Sequence, residues 1–222
     1  MGKDGKKVWR VSLQGNIGAG KSSLITYLRE RGQVTQREPI EEWEQLLERA
    51  EGERGEDYEL HLQAKICVSI SNREDDRWLK EGNEAIFQER NLDSAINVFI
   101  PAAIDGRKLG KEGEKTLRVL SQTLHNLKKI EKEKWEKENN CEIEDKIIYI
   151  RTTPEECLRR ITERKQAGDK YLSIDYISQL HQLHENWLMT GEERKDIVVL
   201  NGNLPLGEDE KLEDLLQKWK LY

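Results

Sequence analysis

At 222 residues the chain is long enough for one sizeable core, near the upper end of a single-domain expectation. Charged residues make up 36% of it, but the signs are mixed and the formal net charge is −6, which argues against nucleic acid as a partner. No apolar run approaches a membrane-spanning length, the short basic N-terminus has no apolar stretch behind it, and three cysteines without metal-type spacing read as free thiols; a cytoplasmic protein without a membrane partner is the expectation.

Residues 8–13 read as a strand and 23–31 as a helix, and between them stands Gly15-Asn16-Ile17-Gly18-Ala19-Gly20-Lys21-Ser22. This is a complete G-x-x-x-x-G-K-S/T phosphate loop in its strand–loop–helix context. Glycines let the backbone turn its N–H groups onto phosphate oxygens, and the following helix adds the positive end of its dipole. Lys21 would neutralise charge between the β- and γ-phosphates of a nucleoside triphosphate, and Ser22 would ligate Mg²⁺. Residues 34–38 predict a second strand, Pro39 a break, and 41–50 a helix.

Beyond a polar loop at 52–57, apolar residues at helical spacing predict one long helix over 58–80. Ala85-Ile86-Phe87 predicts a buried strand that leads into Glu89 and Arg90, with a new helix from about residue 93. A charged helix follows at 115–138. The β-branched runs 147–150 and 197–200 predict two central strands, separated by helices at 154–165 and 174–188, and 208–219 predicts a final helix. Alternating strands and helices behind a phosphate loop imply a parallel sheet flanked by helices, with ligands at the carboxyl ends of the strands.

A phosphate loop alone does not separate a switch GTPase, a motor and a small-molecule kinase. Neither an Asp-x-x-Gly element nor an Asn-Lys-x-Asp element occurs, so the switch reading is minor. Glu89, promptly following an apolar strand, is the candidate second acid for Mg²⁺, with Arg90 beside it.

At this point the sequence resembles the deoxyribonucleoside kinase family, over roughly residues 8–190. The resemblance is carried by the phosphate loop, Glu38-Pro39 with Trp43, Gln63, Glu89-Arg90 with Ser94-Ala95 and Phe99, Tyr149-Ile150-Arg151-Thr152 with Pro154-Glu155, and Tyr176 through His181, His184 and Trp187-Leu188. It implies an α/β P-loop kinase fold with a five-stranded parallel sheet, a single domain over 1–222 and a lid at about 160–173. It also implies ATP-dependent phosphorylation of a deoxynucleoside 5′-hydroxyl, and a homodimer through helices near 58–80 and 93–135. Glu38 would be the general base, Arg90 would hold that carboxylate and the 5′-hydroxyl, and Glu89 would serve Mg²⁺ or the sugar. Gln63 would meet the base edge, Phe99 would stack on it, Trp43 would form an aromatic wall, and Leu62 and Ile66 would line the pocket. Ile70 and Ala95 stand where deoxycytidine kinases carry an arginine and an aspartate, which favours a pyrimidine, thymidine first. Arg160 and Arg164 resemble lid arginines that close on transferring phosphates.

The chain departs from the family pattern in places. No aromatic residue stands at 47–57 to meet the sugar 3′-hydroxyl, Gln166 replaces a lid arginine, Asp169 only loosely matches the acidic lid residue, and Asn91 replaces a serine. His181 and His184 are expected to pack beneath the lid rather than share a metal. A thymidylate-type kinase, with Arg37, Arg90 and Arg151 holding an acceptor phosphate, is one alternative, and a nucleotide-dependent binding module is another.

Overall fold

The computed structural model describes residues 6–43, 45–46, 55–73, 77–106, 108–166, 169, 172–191, 194–206 and 208–218. Strand β1 (Lys6–Gln14) runs into the loop and α1 (Lys21–Glu30), followed by β2 (Val34–Gln36) and a 3₁₀ turn at Ile40–Glu42. Helix α2 (Glu56–Asn72), the short α3 (Arg77–Lys80) and β3 (Ala85–Glu89) come next. Helical segment α4 covers residues 92–105 and contains a π-helical turn at Ala95–Phe99. Then come α5 (Lys111–Asn139), β4 (Cys141–Arg151), α6 (Pro154–Arg164), α7 (Ile174–Leu188), β5 (Ile197–Asn201) and α8 (Glu210–Lys218). The five strands form one all-parallel sheet in the order β2-β3-β1-β4-β5, flanked by helices, which is the P-loop kinase fold.

Strand parity explains how the sheet is covered. Val11, Leu13, Ala85, Phe87, Ile148 and Ile150 point to one face, where Leu24, Ile25 and Leu28 of α1, Cys157 and Ile161 of α6, Ile177 of α7 and Leu212 and Leu215 of α8 bury them. Val8, Ile86 and Ile143 point to the other face and meet Trp78, Leu79 and Trp135. Burial of each such side chain contributes about 1.5–3 kcal/mol, so this two-sided cover sets the layer order. The connection from β1 runs toward β2 while that from the adjacent β4 runs toward β5, and diverging connections open a crevice at the carboxyl ends.

Several expectations are corrected. The predicted helix over 58–80 is two pieces, because α2 ends at Asn72 and the Arg73 guanidinium is drawn to carbonyls at the end of β3. Strand β4 begins at Cys141, well ahead of its apolar run. Its polar half is held by cross-strand charges, Lys7 to Glu144 at 2.7 Å and Arg10 to Asp145 at 2.6 Å, which hydrophobic periodicity does not register. Strand β5 is an edge, not a central strand, and its Ile197, Val198 and Val199 are only half-buried. Part of the expected 41–50 helix, part of the expected lid (167, 168, 170 and 171) and residue 219 lie outside the described residues. No helix among the described residues is long and apolar enough to cross a membrane.

Candidate active site

The loop Gly15 to Ser22 passes over the carboxyl edge of β1 and β4. A Cβ on Gly18, whose φ is +79°, would stand 2.6 Å from the Cys157 carbonyl oxygen, so close packing against α6 and a left-handed backbone together demand glycine there. Asn16 clips the loop to α7: its Nδ2 donates to the Ile177 carbonyl at 2.8 Å, and its Oδ1 accepts from the Ile17 N–H at 2.8 Å. Gly20 is the left-handed N-cap of α1, with no side-chain cap and no acid in the first turn. The first amides of α1 therefore stand ready for an anion.

Lys21 is 5% exposed, and its Nζ donates to the carbonyls of Gly15 at 2.9 Å and Asn16 at 2.8 Å. Burial first, and the Arg90 guanidinium second, push its ammonium down to about 8. A buried cation facing another cation is a site that favours added negative charge. Ser22 Oγ donates to Glu89 Oε1 at 2.6 Å, which puts two hard oxygen donors side by side, a set that fits Mg²⁺.

Arg90 directly follows β3 and has a positive φ of 60°. Its N–H donates to Leu13, and the Arg73 guanidinium donates to the carbonyls of Arg37, Glu89 and Arg90. These bonds hold a conformation costly for a non-glycine residue. Arg90 Nη1 then reaches Glu38 Oε1 at 2.7 Å, with side chains only 10% and 7% exposed, and its guanidinium lies 4.0 Å from the Phe99 ring centre. Buried ion pairs are poor stabilisers because desolvation offsets their attraction, so this pair points to chemistry more than to folding.

Trp43, Leu62 and Ile66 form an apolar wall packed with Leu46 and Ile70 and flanked by Tyr58. Gln63, 4% exposed, lines the same cavity and donates from Nε2 to Glu59 Oε1 at 2.9 Å. On the loop side, Arg160 donates to Glu156 at 2.7 Å, to Ala19 O at 3.3 Å and to Gly202 O at 2.7 Å. Arg164 is paired with Asp169 at 2.8 Å.

One cavity thus brings together Ile17, Gly18, Ala19, Gly20, Lys21, Ser22, Glu38, Trp43, Gln63, Ile66, Glu89, Arg90, Phe99, Arg160 and Arg164. Gly15 and Asn16, the first two residues of the loop, are not part of the cavity lining. Ala95 is not at the cavity either: it is fully buried with Cys67, Leu92 and Leu117, and Ile70 stands behind the wall. His184 stacks on Tyr149, with ring centres 6.0 Å apart, and meets Phe99 edge-on. No cluster of metal-type ligands of three or more His, Cys, Asp or Glu occurs among the described residues. Cavity-lining residues that the sequence reading did not single out are Arg73, Glu59 and Lys108. Only Glu59 carried a signal, being one helical turn before Gln63.

A phosphate loop at the crevice of this parallel sheet, facing a buried carboxylate–guanidinium pair across one cavity, defines a P-loop phosphotransferase. Comparison narrows the class. A family model described as deoxynucleoside kinase matches residues 11–221, and the chain belongs to that family. It is 27% identical to a probable deoxycytidine kinase of fowlpox virus, over 87% of this chain and 79% of the relative. It is 28% identical to a putative deoxynucleoside kinase of frog virus 3, over 86% and 90%. To the mitochondrial thymidine kinase 2 of Homo sapiens it is 26% identical, over 82% of this chain and 64% of that protein.

Proposed function

We propose that this deoxynucleoside kinase transfers the γ-phosphoryl group of ATP to the 5′-hydroxyl of a pyrimidine deoxynucleoside, thymidine in preference. The observation that carries this reading is the Glu38–Arg90 pair, in the same cavity as Lys21 and Ser22. Glu38 accepts the hydroxyl proton as the bond to phosphorus forms, and Arg90 holds the carboxylate and steadies the alcohol. The loop amides, Lys21, Arg160 and Arg164 bear the charge on the transferring group. Ser22 and Glu89 would hold Mg²⁺, which when bound neutralises and orients the phosphates. Residues 160–173 act as the lid, and 1–222 form one domain.

Gln63 meets the base edge between Phe99 and the Trp43 wall, and the uncharged surface of Leu62 and Ile66 suits thymine. A monophosphate acceptor fits less well. Arg90 is already matched by Glu38, Arg37 lines the cavity but donates to Thr26 Oγ1 at 2.6 Å, and Arg151 is bound to Glu185 at 2.7 Å and does not line the cavity. A second copy of the chain would cover the exposed Val119, Leu127 and Ile130 of α5, giving the homodimer. The three free thiols suit a reducing compartment such as the cytoplasm.

The test is a competition assay with ATP, Mg²⁺, thymidine, deoxycytidine and thymidylate. Thymidine should be converted first to its 5′-monophosphate. Preferential turnover of thymidylate, or no phosphorylated product at all, overturns the reading.

A further inference from the structure

We propose that Glu59 is a positioning residue that locks the Gln63 side-chain amide in one orientation, and thereby sets the choice between thymine-type and cytosine-type bases. The proposal rests on the reading of this cavity as a deoxynucleoside site. Glu59 and Gln63 stand one turn apart on α2, are 8% and 4% exposed, and both line the cavity. Gln63 Nε2 donates to Glu59 Oε1 at 2.9 Å. A carboxylate accepts hydrogen bonds and does not donate them, so beside it the amide has only one good orientation, nitrogen toward Glu59. Glu59 also sits near the start of α2, where the helix dipole favours a negative charge.

The other end of the amide is the informative one. Gln63 Oε1 is buried and has no hydrogen-bond partner among the described residues. A buried acceptor in that condition calls for a donor, and a ligand N–H in the adjoining cavity is the group that supplies it. Glu59 uses one N–H of the amide, so Oε1 and the second N–H remain, in a fixed order, for the base.

That order matters because the two pyrimidine edges are opposites. Thymine offers a donor at N3 beside an acceptor at O4, whereas cytosine offers an acceptor at N3 beside a donor at N4. An amide free to flip matches either edge, but a locked one matches only one of them for a given pose of the base. An adjacent carboxylate on the same helix therefore converts a permissive reader into a selective one.

The experiment measures kcat/KM for thymidine and deoxycytidine in the wild type, Glu59→Gln and Glu59→Ala, with melting temperatures to establish that each is folded. Glutamine at 59 can offer oxygen or nitrogen, and alanine offers neither, so in both variants the Gln63 amide is released. The expected result is a wild-type ratio far from one that moves toward one by about tenfold in each variant, the worth of roughly one matched hydrogen bond. A ratio unchanged in both variants, with the two substrates weakened equally, overturns the lock, since a purely structural role would produce that pattern. A wild type that does not discriminate overturns it too. The direction of the wild-type preference is a separate readout: deoxycytidine preferred, with the ratio still moving in the variants, supports the lock and removes the thymidine assignment. No turnover of either nucleoside overturns both.

Discussion

At Glu38 the carboxylate is 7% exposed and its partner is Arg90, so Glu38→Gln changes charge and proton affinity with almost no change in shape. A positioned base contributes on the order of 10²–10⁴-fold. Turnover is expected to fall by that range while ATP binding, assigned in the proposal to the loop and Lys21, stays near the wild-type value by calorimetry. Near-normal turnover would remove the base assignment. Arg73 makes a different prediction, since it lines the cavity and ties the carbonyls of Arg37, Glu89 and Arg90 together. Arg73→Met keeps an unbranched, flexible stem but removes the guanidinium donors, which loosens the positive-φ turn at Arg90. A loss of about tenfold or more in kcat with a smaller change in KM for ATP is expected from steady-state kinetics, because misplacement of a reacting group is costly at a distance.

Helix α7 carries its own test, because its His184 is buried against Tyr149 and Phe99 and its Nδ1 meets the Leu180 carbonyl at 2.7 Å. Burial holds the imidazole down at about 3, against 6.5 for the free group. Below pH 6.5 the unfolded chain takes up a proton that the folded chain refuses. The stability present above pH 6.5 is therefore lost as the pH falls toward 3, by up to about 1.4 kcal/mol per pH unit. His184→Phe keeps an aromatic ring in the stack and removes the titration. Urea unfolding at pH 7 and pH 5 should show a drop about 2 kcal/mol larger in the wild type than in the variant. Equal drops would mean that His184 is already charged or accessible in the folded protein.

The helices differ in what positions them. Helix α6 is a case in which local chemistry suffices, since Thr153 accepts from the Glu156 N–H and Pro154 opens the first turn. By contrast, α5 runs to Asn139 with few buried side chains, among them Leu117 and Trp135, and leaves Val119, Leu127 and Ile130 in water. Ile130→Glu places a charge in that apolar stripe. Light scattering should give about twice the 26.0 kDa chain mass for the wild type and the single-chain mass for the variant. A wild type that runs as a monomer would remove the homodimer.

Across the whole molecule, what could be read from residues alone follows one rule: it was written in neighbouring positions. The phosphate loop, the alternation of strand and helix, α7 at 174–188 and the apolar halves of β3 and β4 are patterns a few residues long, and the family resemblance is a string of such patterns in order. They determined a parallel sheet with a glycine-rich loop motif at its carboxyl edge, because backbone sterics and hydrophobic periodicity act locally. The tertiary structure decided the rest. It set β5 at the edge and extended β4 through charges carried by β1. It broke the 58–80 helix near Arg73, withdrew Ala95 from the cavity, and matched Gln63 with Glu59. Each of these depends on which distant side chain satisfies a charge or a hydrogen bond, and that partner exists only once the sheet has assembled.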